Sequence, residues 1–268
     1  MQFRRSLVAV ALALVVSVIV SLAGVGQGEA VYQFGAQQKV LQGSITVSAA
    51  SSLSDSFVEI AKAFRKQNPK VKIRFNFGSS SSLVAQIQAG APSDVIASAD
   101  LSNIAVLIKS GEVASTSYPK IFAHNQLAIA VKPGNPLKIR SLEDLSRAKF
   151  LALCGITAPC GVYAAQVLAK VKVSINESKI TRAVDAKSTL NAVAVGDADA
   201  AIVYLTDALA AKKMVTLIKI KSDQNINTSY AIAAIRLSRN LDTAEAFINY
   251  VISNKGQEIL KSFGFAKK

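Results

Sequence analysis

Serines are the residues in this chain whose type and spacing could do chemistry. Ser51 and Ser52 close the stretch Gly43-Ser-Ile-Thr-Val-Ser-Ala-Ala-Ser-Ser-Leu53, and Ser79 to Ser82 fill its echo, Phe77-Gly-Ser-Ser-Ser-Ser-Leu83. In each, a β-branched or aromatic run gives way to small residues, then serines, then an amphipathic segment. Serine at that point is a helix N-cap. A helix start carries unpaired backbone N–H groups, and a serine hydroxyl adds a further donor. Two such starts facing one cleft form a cage of donors without formal charge, suited to a small, fully ionised oxyanion.

Other chemistries fail on inventory. The single histidine, His124, is the only base of its type, and no Gly-x-Ser-x-Gly elbow is present, so a serine hydrolase is not expected. Asp94 and Asp100 read as capping and turn residues at strand ends. Cys154 and Cys160 are too few for a metal site and stand at the spacing of a short-loop disulfide, natural in an oxidising compartment.

The elements that hold the serines follow a regular order. Ile45 to Ser48 reads as a strand. Leu53, Phe57, Ile60 and Phe64 form one apolar face of a helix over 53–66, stopped by Asn68-Pro69. Val71, Ile73, Phe75 and Phe77 alternate with polar residues as a strand. A helix over 83–89, a buried strand over 94–98 and a helix over 101–110 follow. This β-α-β-α-β-α order predicts an α/β protein with a parallel sheet covered on both faces. Ligands in such sheets bind outside the carboxyl ends of strands, where both serine clusters fall. Further strands are expected at 126–132, 150–154, 200–204, 215–220 and 230–236, with helices from Ser141, over 161–170, 188–195 and 206–212. Gly161 at a helix start would admit an anion close to the backbone. Two final helices, 243–253 and 256–263, bring no new strand and pack back on an existing unit.

Length and composition set the frame. The chain has 268 residues, 51% of them apolar, enough for one or two domains. Residues 1–30 carry Arg4 and Arg5, an apolar run from Leu7 to Val25, and Gly28-Glu-Ala30 as a cleavage site. They read as a signal peptide or a retained N-terminal membrane anchor, which places the rest in the periplasm or at the outer face of the cytoplasmic membrane. Residues 31–42 read as a flexible leader. Without residues 1–30 the chain keeps 29 basic and 16 acidic side chains, a net of +13 against +14 for the whole. Such a surface could steer anions. With 6% aromatics and no basic recognition motif, nucleic acid is not an expected partner.

Five stretches in order, Ala49-Ala-Ser-Ser-Leu53, Phe77 to Leu83, Gln86-Ile-Gln-Ala-Gly-Ala-Pro-Ser-Asp94, Ala97-Ser-Ala-Asp100 and Ala201-Ile-Val-Tyr204, resemble the molybdate-binding proteins of ABC importers. The resemblance runs from about residue 44 to Gly264-Phe265. It implies a type II periplasmic-binding-protein fold, two Rossmann-like lobes with a hinge and a ligand cleft between them. Lobe one would hold 43–123 plus 237–268 and lobe two 124–236, with crossings near Ala123 and Ala234. It implies molybdate or tungstate held by Ser52 and Ser80 through hydroxyl and backbone donors, by the N–H groups of Cys160 and Ala186, and by the phenol of Tyr204. Cys160 departs from the family's frequent Ala, at a position that uses only the main chain. The resemblance further implies a monomer that delivers its ligand to a membrane permease, with no cofactor, no free metal cation and no catalysis. The alternative is a binding protein for sulfate or another tetrahedral oxyanion on the same fold.

Overall fold

The computed structural model describes residues 40–267, so the export segment and most of the leader lie outside the described residues. In chain order the elements are β1 (Gly43–Ala50), α1 (Ser54–Gln67), β2 (Val71–Gly78), α2 (Ser80–Gln88), β3 (Val95–Ser98) and α3 (Leu101–Lys109). Then come β4 (Lys120–Asn125), β5 (Leu127–Val131), β6 (Leu151–Cys154), α4 (Pro159–Lys170), β7 (Ile180–Ala183) and α5 (Ala186–Ala194). The last are β8 (Ala200–Tyr204), α6 (Leu205–Ala210), β9 (Thr216–Lys219), β10 (Thr228–Ala234), α7 (Leu241–Ile252) and α8 (Asn254–Ser262). Short 3₁₀ turns occupy Ser51–Leu53, Glu143–Arg147 and Glu177–Lys179. The helix expected from Ser141 is thus a 3₁₀ turn.

The strands form two five-stranded sheets, in the orders β2-β1-β3-β10-β4 and β7-β6-β8-β5-β9. Both are mixed. β1 pairs in parallel with β2 and β3, as the β-α-β order requires, but β10 runs antiparallel to β3 and β4. In the second sheet β6 is parallel to β7 and β8, while β5 is antiparallel to β8 and β9. β10 falls inside the 124–236 span yet hydrogen-bonds into the first sheet. The second crossing between sheets therefore precedes Thr228 and is not near Ala234.

The first crossing is Gln126, a single residue between β4 and β5. The two crossings lie side by side and are tied together. Gln126 donates its amide N–H to Asn227 Oδ1 at 2.7 Å. Asn225 accepts from the Leu127 N–H at 3.1 Å and donates to the Leu127 carbonyl at 2.8 Å.

The expected apolar face of α1 is the core of the first sheet's outer layer. Leu53, Phe57, Ile60 and Phe64 are buried, and Phe57 packs its ring 5.8 Å from Phe122 and 6.1 Å from Phe247. Burying each such ring contributes about 1.5–3 kcal/mol. Asn68 ends the helix by donating its side-chain amide to the Phe64 carbonyl. Phe247 on α7 and Leu260 on α8 place the final helices against this same core.

Candidate oxyanion site

Because β1, β2 and β3 run in parallel, their carboxyl ends share one edge, and the serines follow from them. Ser51–Leu53 makes a 3₁₀ turn directly after β1, and Ser52 is buried, its hydroxyl 2.9 Å from the Tyr230 hydroxyl. After β2, the cap of α2 is Ser79, which accepts from the Ser82 N–H at 3.2 Å. Ser80 is then free of capping duty. Its hydroxyl is buried and accepts from the Ala99 N–H at 3.0 Å, fixing the β3–α3 junction beside it. There Asp100 caps α3, accepting from the Asn103 N–H at 3.2 Å. That is the structural role its position predicts.

The second sheet repeats the device. The carboxyl ends of β6, β7 and β8 lead to α4, α5 and Tyr204. Cys154, the last residue of β6, is disulfide-bonded to Cys160 in the first turn of α4, with Cα atoms 5.8 Å apart. Gly161 is required here for packing. A Cβ on it would lie 2.1 Å from the Gly155 carbonyl oxygen, so the helix start rests on its own preceding loop. The close approach is of loop to helix, and the expected role in admitting an anion gains no support from it. Asp185 caps α5, accepting from the Ser188 N–H at 2.8 Å. Ala186 is the first residue of that helix and is buried.

Three contacts bring the two rows of strand ends together. Helix α5 lies against the Ser51–Leu53 turn. Lys187 Nζ meets Asp55 Oδ2 at 2.6 Å. The Tyr204 and Tyr230 rings lie 5.7 Å apart at 64°. Ser52 and Tyr204 thus meet through Tyr230, and Ala186 opens the helix that lies against the Ser52 turn. Ser80 is tied to the β3–α3 junction through Ala99, and Cys160 shares α4 with Tyr163, whose phenol feels the Asp100 charge. No contact joins Cys160 directly to Ser52 or Ser80.

The setting is dry. All five predicted residues are buried. Burial pushes the Tyr163 phenol up to about 12 and raises Tyr204 well above the ordinary tyrosine value, so both keep their protons near neutrality. Burial also raises Tyr230, although bonds to Ser52 and Asn125 oppose it. Tyr204 Oη has no well-formed hydrogen bond, only a weak interaction with the Tyr230 hydroxyl. An isolated buried hydroxyl is costly, and an acceptor arriving from outside would satisfy it. Lys187 is the cation of the five segments, and its charge is taken by Asp55.

Tyr230, Asn125, Thr206 and Tyr163 were not singled out by sequence reasoning. Asn125 donates to Thr206 Oγ1 at 2.9 Å and to Tyr230 Oη at 3.3 Å, linking β4, α6 and β10 behind Ser52. The available signal was Tyr230 within an otherwise apolar strand.

Two sheets whose parallel strand ends face each other over buried neutral donors define the solute-binding class of α/β protein. Residues 45–266 match the family of bacterial extracellular solute-binding proteins, and the chain belongs to that family. It is similar to the molybdate-binding protein ModA of Mycobacterium tuberculosis, at 35% identity over 84% of this chain and 85% of the relative. Among solved structures, it resembles the periplasmic molybdate-binding protein of Azotobacter vinelandii, with a TM-score of 0.75 and 21% identity, covering 84% and 99% of the two chains. It also resembles the sulfate-binding protein SubI of M. tuberculosis, with a TM-score of 0.76 and 21% identity, covering 84% and 87%. Both likenesses are of fold. Among the described residues no helix is long and apolar enough to cross a membrane.

Proposed function

We propose that this protein captures molybdate, and tungstate with it, outside the cytoplasm and delivers it to the permease of an ABC importer. It acts without catalysis or a cofactor. Ser52, Ser80 and Tyr204 give hydroxyl donors and Cys160 and Ala186 give N–H donors. Two lobes, one on each sheet, flex about the paired crossings at Gln126 and 225–228. The chain is exported by its first 30 residues and works as a monomer.

The observation that carries this reading is the buried Tyr204 hydroxyl without a partner, set among neutral donors whose neighbouring cation is already paired. Molybdate and tungstate are dianions that only accept hydrogen bonds. A hydrogen phosphate brings its own donor, which would face another donor here, and is disfavoured. Each charge-assisted bond contributes about 1.5–3 kcal/mol, so five or more offset desolvation and closure. The M. tuberculosis relative's function supports molybdate over the sulfate alternative.

The test is a thermal melt with molybdate, tungstate, sulfate and phosphate in turn. A ligand of the folded state raises the midpoint in proportion to ln(1 + [L]/Kd). Molybdate and tungstate should give large shifts, sulfate a small one and phosphate none. A shift with sulfate alone would replace the ligand, and no shift with any would leave Ser52 and Ser80 with only their structural bonds to Tyr230 and Ala99.

A further inference from the structure

Among the described residues, the buried side-chain oxygens and nitrogens that make no hydrogen bond are the Tyr204 hydroxyl and both carboxyl oxygens of Asp207. They stand on either side of the β8–α6 junction, in one segment, Tyr204-Leu-Thr-Asp207. The anion of the proposed function accounts for the hydroxyl. It does not account for the carboxyl, which when ionised offers no donor and repels a dianion. Nor is Asp207 a helix cap. Asp100 and Asp185 each accept a well-formed bond from a backbone N–H at their helix starts, whereas Asp207 has only a weak interaction with the Tyr204 N–H. It is also 1% exposed, so bulk solvent does not reach it.

The charged and titratable groups facing it are few. Lys187 of α5, Asp185 just before that helix and Asp55 of α1 act on the carboxyl, and its own charge acts on Tyr204 of β8 and Tyr230 of β10. Lys187 is the one cation of that group, and its ammonium is bonded to Asp55.

We propose that Asp207 carries a proton whenever the oxyanion is held, so that capture of the dianion takes up a proton and release returns it. This rests on the proposed oxyanion site. The step is a simple transfer: an O–H bond forms on the Asp207 carboxyl, the proton comes from the surrounding buffer, and nothing is oxidised or reduced. Protonation removes a buried negative charge from beside the dianion. Burial already pushes this carboxyl up to about 7, with Lys187 opposing and Asp55 adding to the rise. A bound dianion raises it further, by like-charge repulsion. Affinity is then flat below about pH 7 and falls by up to about tenfold per pH unit above it.

Calorimetric titration of the protein with sodium molybdate tests this, at about pH 6 and about pH 8, each in two buffers of different ionisation heat. The free anion is a dianion throughout. The expected result is close to one proton taken up per anion at the higher pH and close to none at the lower. Asp207→Asn, or Asp207→Ser should the first not fold, is expected to bind with no proton uptake and with an affinity independent of pH. Molybdate binding without proton uptake in the unsubstituted protein would overturn the proposal while leaving the binding site intact. Equal uptake in the Asp207 variants would overturn it by assigning the proton elsewhere. The absence of binding at either pH would overturn it together with the proposed function.

Discussion

Replacing Tyr204 by Phe should move stability and affinity in opposite directions. The hydroxyl is fully buried and has no well-formed hydrogen bond, so in the anion-free protein it is a desolvated donor with little in return. Its removal recovers a penalty of about 1–3 kcal/mol and leaves the ring, packed 5.7 Å from Tyr230, in place. Anion-free Tyr204→Phe protein should therefore unfold at a higher urea concentration than the unsubstituted chain. In the loaded protein the same hydroxyl donates to a dianion, and such a bond contributes about 1.5–3 kcal/mol. Molybdate affinity should fall by about tenfold to about a hundredfold. Urea melts of ligand-free protein and calorimetric Kd values give the two quantities independently. A variant less stable when empty, with an unchanged Kd, would make Tyr204 an ordinary core residue and refute the reasoning.

Three further outcomes can be checked. Asp207 has a folded value of about 7 against 3.8 for the free side chain, so its contribution to stability is full below about pH 4 and lost as pH rises through 7. The stability advantage of Asp207→Asn over the unsubstituted protein should grow by about 3 kcal/mol between about pH 5 and about pH 8; a constant gap in urea melts would contradict this. The Lys187–Asp55 pair, half-exposed and bridging α5 to α1, should slow anion release: Lys187→Asp should speed it a few-fold, in keeping with about 1 kcal/mol for such a pair, and adding Asp55→Lys should restore it in stopped-flow measurements, with no restoration refuting a direct pairing. Replacing Cys154 and Cys160 by Ser should cost about 2 kcal/mol in stability and weaken molybdate binding as well, because the bridge holds the first turn of α4; a loss of stability with Kd unchanged would show that this turn keeps its place without the bridge.

The parts of the fold legible in the sequence were those with a strong period or a strong punctuator. The face Leu53-Phe57-Ile60-Phe64 and the stop at Asn68-Pro69 place α1 to within a residue or so of its observed bounds, Ser54–Gln67. Ser79 announces the β2–α2 junction because capping is a local event; Ser51 and Ser52, expected to cap likewise, lie within a 3₁₀ turn and make no side-chain cap. β7 was missed because Ile180-Thr-Arg-Ala183 is a short edge strand that needs no apolar run. β4 was missed because Lys120 and His124 interrupt its pattern, and its pairing with β10 shifts register at Tyr230. The direction of β10 depends on which strands it meets, which a local pattern does not carry. Of the proposed site, Ser52, Ser80, Cys160, Ala186 and Tyr204 could be named from motifs, and all five are buried. Tyr230 and Asp207 could not, because their roles arise from burial and missing partners, which exist only once both sheets are assembled.

The side-by-side passage of the chain between the sheets has a mechanical consequence. One strap could swivel. Two straps laced by the Gln126–Asn227 and Asn225–Leu127 hydrogen bonds resist torsion and sliding, and leave flexing as the soft mode. If the proposed lobes move along that one coordinate, the same atoms come opposite one another each time, and the geometry of the proposed cage is reproduced by the joint and need not be searched for by the ligand. The stiffness of that joint then sets how long the jaws stay shut, and changes to Gln126 or Asn225 should alter residence time while every donor stays in place.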